Sequence, residues 1–410
     1  MHTRSKIWST RLSAALALLC GVHAAPAVTL TSPQGEIRAE IRVGDDGHLG
    51  YSVQRGGEPV ITSSRLGAIV DGVDLGAGVQ LGNVEPYARD VTFPTRGVHA
   101  LAHDRSRGLR IRVTHAASKI TWTLDCRASA DGFAFRYEIP GSGTRTIDGE
   151  ATSFALPARS RCWYFERPND WKLKTYAGIW RSAPVEEMLQ VSPTGPVQGP
   201  PLVFELPGDA GFAAVSEAAL FDYSGMRLRA IGAGTFQANF TEADGFQLDG
   251  PIRTPWRVVL VAPNLNGLVN ADLIASLCPA PDATLFADTS YIRPGRCVWR
   301  WWAHDTGTPA EERRYVDAAA KLGFEYSLVD EGWKEWPDAW GDLTGLCAYA
   351  AERRVGIWVW CHWQDVNDPA NDYAALAAYL ERVAKTGAVG VKIDFMNGED
   401  LARVDRKSVV

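Results

Sequence analysis

The hydrophobic pattern of this 410-residue chain changes once, near residue 280, and the change limits the folds that it can adopt. Before that point, polar and apolar residues alternate over short runs such as 36–43, 109–113 and 256–260. A period of two is typical of strands with one buried face. After it, short apolar runs alternate with longer stretches of helical period. The sequence therefore predicts a multidomain protein that joins a β domain to an α/β domain.

The first region, residues 28–280, is predicted to be an antiparallel β-sandwich. Gly-rich segments at 44–47 and 56–57 separate its short strands, as turns do in antiparallel sheets. The Pro- and Gly-rich stretch 193–201 is predicted to be a loop inside this domain. Further Pro and Gly residues mark 281–296 as a linker to the second domain.

The second region, residues 297–404, is predicted to consist of repeated βα units. Strands are expected at 297–303, 326–330, 356–360 and 389–394. Helices are expected at 309–322, in the segment that ends near 354, and at 373–385. Pro309 suits a first helical position and Gly323 the residue just past the end of that helix. Such units form a parallel sheet, and four of them are the first half of a (β/α)₈ TIM barrel.

The chain is expected to stop in the middle of that barrel. A complete (β/α)₈ barrel takes about 250 residues, and the four predicted units end before residue 404. The last six residues, 405–410, resemble the translated start of a common sequencing adapter and are predicted to be a non-native tail.

The first 25 residues have the order of a secretory signal peptide. Arg4, Lys6 and Arg11 precede the apolar run 12–19, and small residues follow it. That run is too short to span a bilayer, and no later stretch reaches the length of a membrane span. The mature protein is therefore expected to be exported, to a bacterial periplasm.

The net charge and the cysteine spacing argue against two kinds of ligand, nucleic acid and a cysteine-bound metal. The formal net charge of −6 argues against nucleic acid as a partner, because binding to phosphates needs a basic surface. The cysteines beyond the signal peptide include no C-x-x-C pair, which argues against a cysteine-based metal site. The sequence does not determine disulfide pairing or the oligomeric state.

Acidic residues gather at the predicted ends of two strands. Lys392 and Asp394 are alternate residues of one strand and can therefore point to the same face. A lysine at that position favours the ionised form of the carboxylate, as a nucleophile requires. Asp330 and Glu331 follow an earlier strand. Taken singly, each of these acids could equally be a helix cap or a surface charge.

Nine of the fifteen tryptophans lie between residues 299 and 363. Those on predicted strands are expected to pack in the core: Trp299, Trp301, Trp358 and Trp360. Those at or beyond strand ends could face a pocket and stack on sugar rings: Trp302, Trp333 and Trp363. His304 and His362 also lie near strand ends, but no third ligand has zinc-site spacing. Hydrogen bonding to a substrate, or simple packing, is the better interpretation for both.

Several motifs, in order along the chain, resemble glycoside hydrolase family 97. Residues 290–302 look like the domain junction and first barrel strand of that family. The next three strands are matched by 330–333, 356–360 and 390–396, and motifs of its N-terminal sandwich by 215–223 and 254–257. The resemblance runs from about residue 28 to residue 404.

This resemblance implies an exo-acting α-glycosidase with a sandwich, a (β/α)₈ barrel, a C-terminal β-domain and a bound calcium ion. Retaining, α-galactosidase-like members are similar to this chain in having an Asp at the end of the fourth strand as nucleophile, the position of Asp394. By similarity, Lys392, Asp330 and Glu331 would contact the sugar of an oligosaccharide or other α-glycoside. The aromatic and histidine residues near them, Trp302, Trp333, His304 and His362, are further candidates for substrate binding.

The resemblance is incomplete for the acid/base and the metal. The family's general acid/base Glu and most of its calcium ligands belong to later barrel strands. One calcium ligand comes from a Tyr-Glu-Gly-like segment, which is matched here by Tyr176-Ala177-Gly178 without an acid. The metal ligands of this chain are therefore unknown.

Two other functions stay open. Within the same family the protein could be an inverting α-glucosidase, which uses carboxylates from elsewhere in the barrel. In a different class, this polypeptide could be only a carbohydrate-binding sandwich with an inert barrel fragment. The 410-residue chain itself is expected to have no glycosidase activity, because half of a barrel lacks the acid/base.

Overall fold

A computed structural model of the chain describes residues 27–166, 178–192, 195–368, 370–371, 373–396 and 401. The predicted signal peptide and the predicted tail lie outside the described residues, as do Tyr176 and Ala177. In the described part of the chain, no helix combines the length and the apolar character needed to cross a membrane.

Among the described residues, twenty-two strands precede residue 263. In chain order they are β1 Val28–Thr31, β2 Ile37–Val43, β3 Leu49–Arg55, β4 Glu58–Arg65, β5 Ala68–Val70, β6 Val73–Asp74, β7 Val79–Pro94, β8 Leu101–His115, β9 Thr121–Ser129, β10 Gly132–Ile139, β11 Thr144–Glu150, β12 Ser153–Ala155, β13 Arg161–Glu166, β14 Ile179–Pro184, β15 Val197–Gln198, β16 Leu202–Glu205, β17 Phe212–Ala218, β18 Met226–Gly232, β19 Thr235–Phe240, β20 Phe246–Asp249, β21 Ile252–Arg253 and β22 Trp256–Ala262. The pair Val197–Gln198 corrects the prediction that 193–201 is wholly a loop, because β15 pairs with β18.

These strands form four antiparallel sheets that pack as a β-sandwich-like domain. The largest sheet has the order β14-β13-β16-β17-β22-β10-β9-β8-β7, with β21 beside β10. The three others have the orders β1-β2-β3-β4, β20-β11-β5-β6 and β12-β19-β18-β15. One large cluster of buried apolar side chains lies between them. The predicted alternation is clear in β2, where Ile37, Ala39 and Ile41 are buried.

Strand β22 is buried along its whole length, because both of its faces are covered. Val259 and Val261 point into the sandwich core. Trp256 and Val258 pack on the other side, in a second cluster that includes Leu273. Two short helices that follow β22, α1 Leu265–Val269 and α2 Leu273–Leu277, supply apolar residues to that cluster.

The rest of the chain forms βα units, as predicted. Its elements are β23 Cys297–Trp299, α3 Trp301–His304, α4 Pro309–Leu322, β24 Tyr326–Val329, α5 Ala339–Glu352, β25 Gly356–His362, α6 Ala374–Lys385 and β26 Gly390–Asp394. The four strands pair in parallel and in chain order. Helix α4 matches its prediction exactly: Thr308 caps it with Glu311, and Gly323 ends it in the left-handed conformation.

The predicted strand 297–303 is too long. The chain leaves the extended conformation at Arg300, which has helical φ and ψ angles, and Trp301 and Trp302 begin the short helix α3. The guanidinium of Arg300 donates to the carbonyl oxygens of His304 and Asp305, which lack partners inside so short a helix. Trp301 is therefore not the strand residue that the sequence predicted.

The helices of this region pack on one face of the parallel sheet. Val298, Val329 and Val359 point to that face and pack with α4 and α5 residues such as Val316 and Leu346. The opposite face borders a groove of about 1220 Å³, which is lined by side chains from every strand and by Arg96 of the sandwich. In the part of the chain that the structure describes, helices thus cover one side of the sheet and leave the other to the groove.

Candidate active site

The C-terminal ends of the four parallel strands bring together two carboxylates and one ammonium group. Lys392 and Asp394 lie on the same face of β26, with Nζ of the lysine 3.0 Å from Oδ2 of the aspartate. The same Nζ lies 2.8 Å from Oδ2 of Asp330, which directly follows β24. The lysine therefore bridges two carboxylates that are 64 residues apart in the chain.

Asp394 is held by donors but still reaches the surface. Its Oδ1 accepts a hydrogen bond from the backbone N–H of Phe395 at 2.9 Å, and its Oδ2 accepts one from Trp360 Nε1 at 3.2 Å. The side chain is 37% exposed. A carboxylate that is oriented and yet accessible can approach a substrate without first breaking its contacts.

Asp330 is bound more tightly and is buried. Its Oδ2 accepts from Trp299 Nε1 at 2.7 Å as well as from Lys392. Its Oδ1 accepts from the backbone N–H of Glu331 at 2.7 Å. Both carboxylate oxygens are therefore occupied by donors of the protein.

Trp299 and Trp360 serve this site, although the sequence predicted only core packing for them. In the parallel register Trp360 lies opposite Lys392, and His362 lies opposite Asp394. Their side chains therefore share the face that carries the charged groups. The ring of Trp299 also lies below the ammonium, 4.5 Å from Nζ of Lys392. These contacts depend on the register between neighbouring strands. The alternation of polar and apolar residues in the sequence does not determine that register.

The charges shift the pKa values of two groups in opposite directions. Burial alone would raise the pKa of Asp394, but hydrogen bonds from Lys392 and Phe395 and the lysine charge lower it below its ordinary value. Burial alone would lower the pKa of Lys392, but its hydrogen bonds to Asp330 and Asp394 raise it. At neutral pH the site therefore holds an ionised Asp394 beside a charged lysine.

The remaining predicted site residues lie around this centre at different depths. Glu331 is exposed, next to the buried Asp330. Trp302 is 76% exposed, and its ring lies 5.1 Å from that of Trp299. His304 is exposed at the end of α3. His362 is half-buried, with Nδ1 accepting from the N–H of Gln364 at 3.1 Å and its ring stacked on Phe395.

The prediction that Trp333 faces a pocket is wrong. Its side chain is fully buried in the core between the parallel sheet and its helices. Nε1 donates to the carbonyl oxygen of Trp360 at 2.8 Å, and the ring packs edge to face on Trp340. The chain turns inward here because Gly332 adopts a positive φ of 103°, which starts a 3₁₀ turn at Trp333.

The described residues do not fit a calcium site. Among them, no group of three or more His, Cys, Asp or Glu side chains is arranged to hold a metal ion. Asp330 and Asp394 share a lysine, whose positive charge opposes a cation between them. We therefore derive no step through calcium.

The large groove lies beside this centre and does not contain the exposed carboxylate. It runs toward the N-terminal ends of the strands, where Tyr326, Gly356 and Val389 line it. Lys392 lines the groove and also contacts both carboxylates. The charged centre thus forms one rim of the uncovered sheet face.

Both halves of the chain match known sequence families. The family described as glycosyl-hydrolase 97 N-terminal matches residues 30–279, and glycoside hydrolase 97 matches residues 298–410. A probable retaining alpha-galactosidase of Streptomyces bingchenggensis is 32% identical over 97% of this chain. A retaining alpha-galactosidase of Bacteroides thetaiotaomicron is 25% identical over 94% of it. The chain spans 62% of the length of each of these relatives.

Solved structures show the same fold at lower identity. A beta-arabinopyranosidase is 21% identical and superposes with a TM-score of 0.83, covering 93% of this chain and 64% of that one. A glycoside hydrolase family 97 enzyme from Pseudoalteromonas, in complex with acarbose, is 22% identical with a TM-score of 0.75 and covers 90% and 59%. These likenesses concern the fold alone.

Proposed function

The chain belongs to glycoside hydrolase family 97, and on that premise we propose that the complete protein is a retaining exo-α-glycosidase that removes terminal α-galactosyl residues. Asp394 attacks the anomeric carbon through an oxocarbenium-like transition state and forms a glycosyl ester. A general acid from outside the described residues protonates the leaving oxygen, and water then hydrolyses the ester.

The observation that carries this proposal is the state of Asp394. A nucleophile has to be ionised and has to reach the sugar, and these two demands conflict when a carboxylate is buried. Here Lys392 and two N–H donors favour the charged form while 37% of the side chain stays exposed. The names of the two curated relatives, both retaining alpha-galactosidases, support the choice of retention and of galactose.

The neighbours of Asp394 suggest how the sugar is held. Glu331 is an exposed carboxylate next to the site and is proposed to accept hydrogen bonds from sugar hydroxyls. Trp302 offers an exposed indole for the apolar face of a ring. Lys392, His304 and His362 are proposed to donate to, or pack against, the same substrate.

We also propose the domain division 28–280, 281–296 and 297–404, with the parallel sheet as the first half of a (β/α)₈ barrel. The uncovered face of the sheet and the share of the relatives' length that is matched support this interpretation. The 410-residue chain alone is proposed to be inactive, since a retaining mechanism needs a second carboxyl group that can protonate the leaving oxygen, and the resemblance assigns that Glu to later barrel strands. Asp330 is close to Asp394 but is buried and paired with Lys392, so it is not proposed for this role.

The decisive experiment completes the barrel. In a chimera, the part of the Streptomyces relative that follows its fourth strand is joined after residue 396 of this chain. We expect hydrolysis of an aryl α-galactoside, with the α-anomer as first product by NMR. The Asp394→Gly chimera should be inactive, and azide should restore turnover by forming β-galactosyl azide.

Two outcomes would contradict the proposal. A first product of inverted configuration would support the alternative inverting α-glucosidase, and an aryl α-glucoside is therefore assayed in parallel. Failure of azide to rescue the Asp394→Gly chimera, when the parent chimera is active, would remove Asp394 from the role of nucleophile. An aryl β-arabinopyranoside completes the panel, because one protein of this fold is named for that activity.

Export from the cell is a separate proposal. It is supported by the charged, apolar and small-residue order of residues 1–25. Expression of the full chain in a bacterial host, with N-terminal sequencing of the periplasmic fraction, tests it. A product that retains Met1 in the cytoplasm would contradict it.

A further inference from the structure

We infer that Asp330 is a positioning residue: it fixes the ammonium group of Lys392 against the Asp394 carboxylate and does not itself bind the sugar. This inference rests on the proposed function, in which Asp394 is the nucleophile. The contacts from which it is argued do not depend on that function. It changes the role that family resemblance gives to Asp330, which is direct contact with sugar hydroxyls.

The first argument is that both oxygens of Asp330 already accept hydrogen bonds from the protein and that the side chain is closed off from solvent. Oδ2 accepts from Trp299 Nε1 and from Lys392 Nζ, at 2.7 and 2.8 Å, and Oδ1 accepts from a backbone N–H at 2.7 Å. The side chain is 3% exposed. Both acceptor positions of Oδ2 are filled, and a hydroxyl could reach the second position of Oδ1 only if the groups that bury the side chain moved away.

The second argument is that Lys392 needs a fixed partner. A lysine side chain is long and flexible, and its ammonium group can take many positions around a partly exposed carboxylate. Asp330 and the Trp299 ring remove that freedom, one by a charged hydrogen bond and the other by lying 4.5 Å from Nζ. The ammonium is then held 3.0 Å from Oδ2 of Asp394.

The third argument is that the contacts form one continuous chain across all four strands. From β23 to β26 it runs Trp299 Nε1, Asp330 Oδ2, Lys392 Nζ and Asp394 Oδ2, and it ends at Trp360 Nε1 of β25. Strands β23 and β25 contribute one group each, β26 contributes two, and Asp330 directly follows β24. Through Lys392, the buried Asp330 therefore helps to determine where the partly exposed carboxylate of Asp394 is held.

The fourth argument is the balance of charge. Two carboxylates share one ammonium group, so the positive charge of the lysine is divided between Asp330 and Asp394. Without Asp330, Lys392 would pair with Asp394 alone or turn to solvent. Either change alters the nucleophile while the proposed sugar-binding groups other than Lys392 stay in place. Glu331, exposed on the same strand end, is the acid that remains free to face a ligand.

The experiment observes the Lys392 ammonium directly in the 410-residue chain. The chain has nine lysines, so ¹⁵N-lysine labelling gives few signals, and Lys392→Arg identifies the one from this site. We expect a slowly exchanging NH₃⁺ signal at neutral pH that titrates above the ordinary range. In Asp330→Asn the signal should exchange faster and its titration midpoint should fall. Glu331→Gln, one residue away, should leave both unchanged.

An unchanged Lys392 signal in Asp330→Asn would overturn the inference. If that variant does not fold, Asp330→Glu replaces it, because it keeps the charge but moves the carboxylate that holds Lys392 by one methylene. We expect this variant to speed the exchange of the Lys392 signal, and an unchanged signal would again overturn the inference. Circular dichroism of each variant reports whether the chain is folded.

A kinetic measurement in the chimera separates positioning from sugar binding. Asp330→Asn should lower kcat roughly 10-fold or more with little change in KM, and Asp330→Glu should recover part of the loss. Glu331→Gln should mainly raise KM. A rise in KM alone for Asp330→Asn would mean that Asp330 binds the sugar. The NMR result does not depend on glycosidase activity, so failure of the proposed function and failure of this inference are distinguishable.

Discussion

The indole N–H of Trp360 donates to Oδ2 of Asp394 over 3.2 Å, so the neighbouring strand orients the carboxylate at the end of β26. Oδ1 of the same carboxylate is held by the backbone N–H of the next residue, Phe395. The side chain is thereby fixed from two directions without being buried. Both donors also stabilise its negative charge.

Trp360→Phe should raise the pKa of Asp394, because the substitution keeps an aromatic ring but removes the indole N–H that donates to the carboxylate. ¹³C NMR titration of labelled aspartates in the 410-residue chain measures this shift, and Asp394→Asn assigns the signal. The loss of one hydrogen bond should cost about 0.5–1.5 kcal/mol in the free energy of unfolding. A midpoint that does not move would show that the 3.2 Å contact does not stabilise the carboxylate.

The matched control is Trp358→Phe, two residues earlier on the same strand. Its Nε1 is buried and has no hydrogen-bond partner among the residues that the structure describes. Removing an unpaired buried donor should leave stability unchanged or raise it slightly, and the Asp394 titration should not move. A shift as large as that of Trp360→Phe would assign the effect to ring packing.

Stability should depend on pH through the bridge between Lys392 and Asp394. Asp394 has a lowered pKa, so its contribution is complete above the pKa of the unfolded chain and is lost as pH falls through the folded value. Lys392 has a raised pKa, so its contribution is lost as pH rises through the folded value. Urea unfolding at several pH values should therefore show that Lys392→Met lowers the free energy of unfolding most at intermediate pH. The difference from the parent chain should become smaller at low and at high pH. A difference that does not change with pH would contradict the directions of the two pKa shifts.

Trp333→Ala should destabilise the α/β region by about 3–5 kcal/mol, because it empties a site in the core. Trp302→Ala is the comparison, since that indole is 76% exposed and its loss should change stability by no more than about 0.5 kcal/mol. Urea unfolding followed by circular dichroism measures both. Equal effects of the two substitutions would contradict the positions that the structure gives to these tryptophans.

Arg257→Ala should be among the most damaging substitutions in the sandwich. The guanidinium is fully buried and pairs with Glu150 at 2.5 Å and with Glu217 at 2.7 Å. Removing it leaves two buried carboxylates without their partner, and breaking a buried pair costs about 3–5 kcal/mol. Arg253→Ala is the control, because that side chain is 68% exposed and an exposed pair is worth about 0–1 kcal/mol. Denaturant unfolding of the two variants checks the difference.

The regular elements of the α/β region followed from local sequence signals. Helix α4 has a proline at its first position and a glycine after its last, and both ends agree with the structure. The predicted strand at 297–303 failed because Arg300 takes helical angles and binds carbonyls at the end of α3, a contact that no local pattern reveals. Local signals therefore located strands better than they located the points where strands end.

The sequence predicted the acids of the site and Lys392, but it did not predict that two tryptophans donate hydrogen bonds to those acids. Lys392 and Asp394 lie on one face because alternate strand residues do, which is a local rule. The contacts of Trp299 and Trp360 depend on how four separate strands are aligned, and that alignment is set by the packing of the whole sheet. Trp333 is the opposite error, because it was predicted to face a pocket and is buried. It follows a strand end, but Gly332 redirects the chain so that its side chain points into the core.

The separate cores imply an order of events during synthesis. Among the described residues, all buried side chains of the large apolar cluster come from residues 30–261, and Leu401 is the one residue after the sandwich that packs against it, partly buried. The sandwich core can therefore form before the first parallel strand has left the ribosome. The parallel sheet then forms beside a partner that is already folded. A defect at Asp394 or Lys392 should therefore leave the first domain soluble and intact, which makes it a natural internal standard for every measurement on the second.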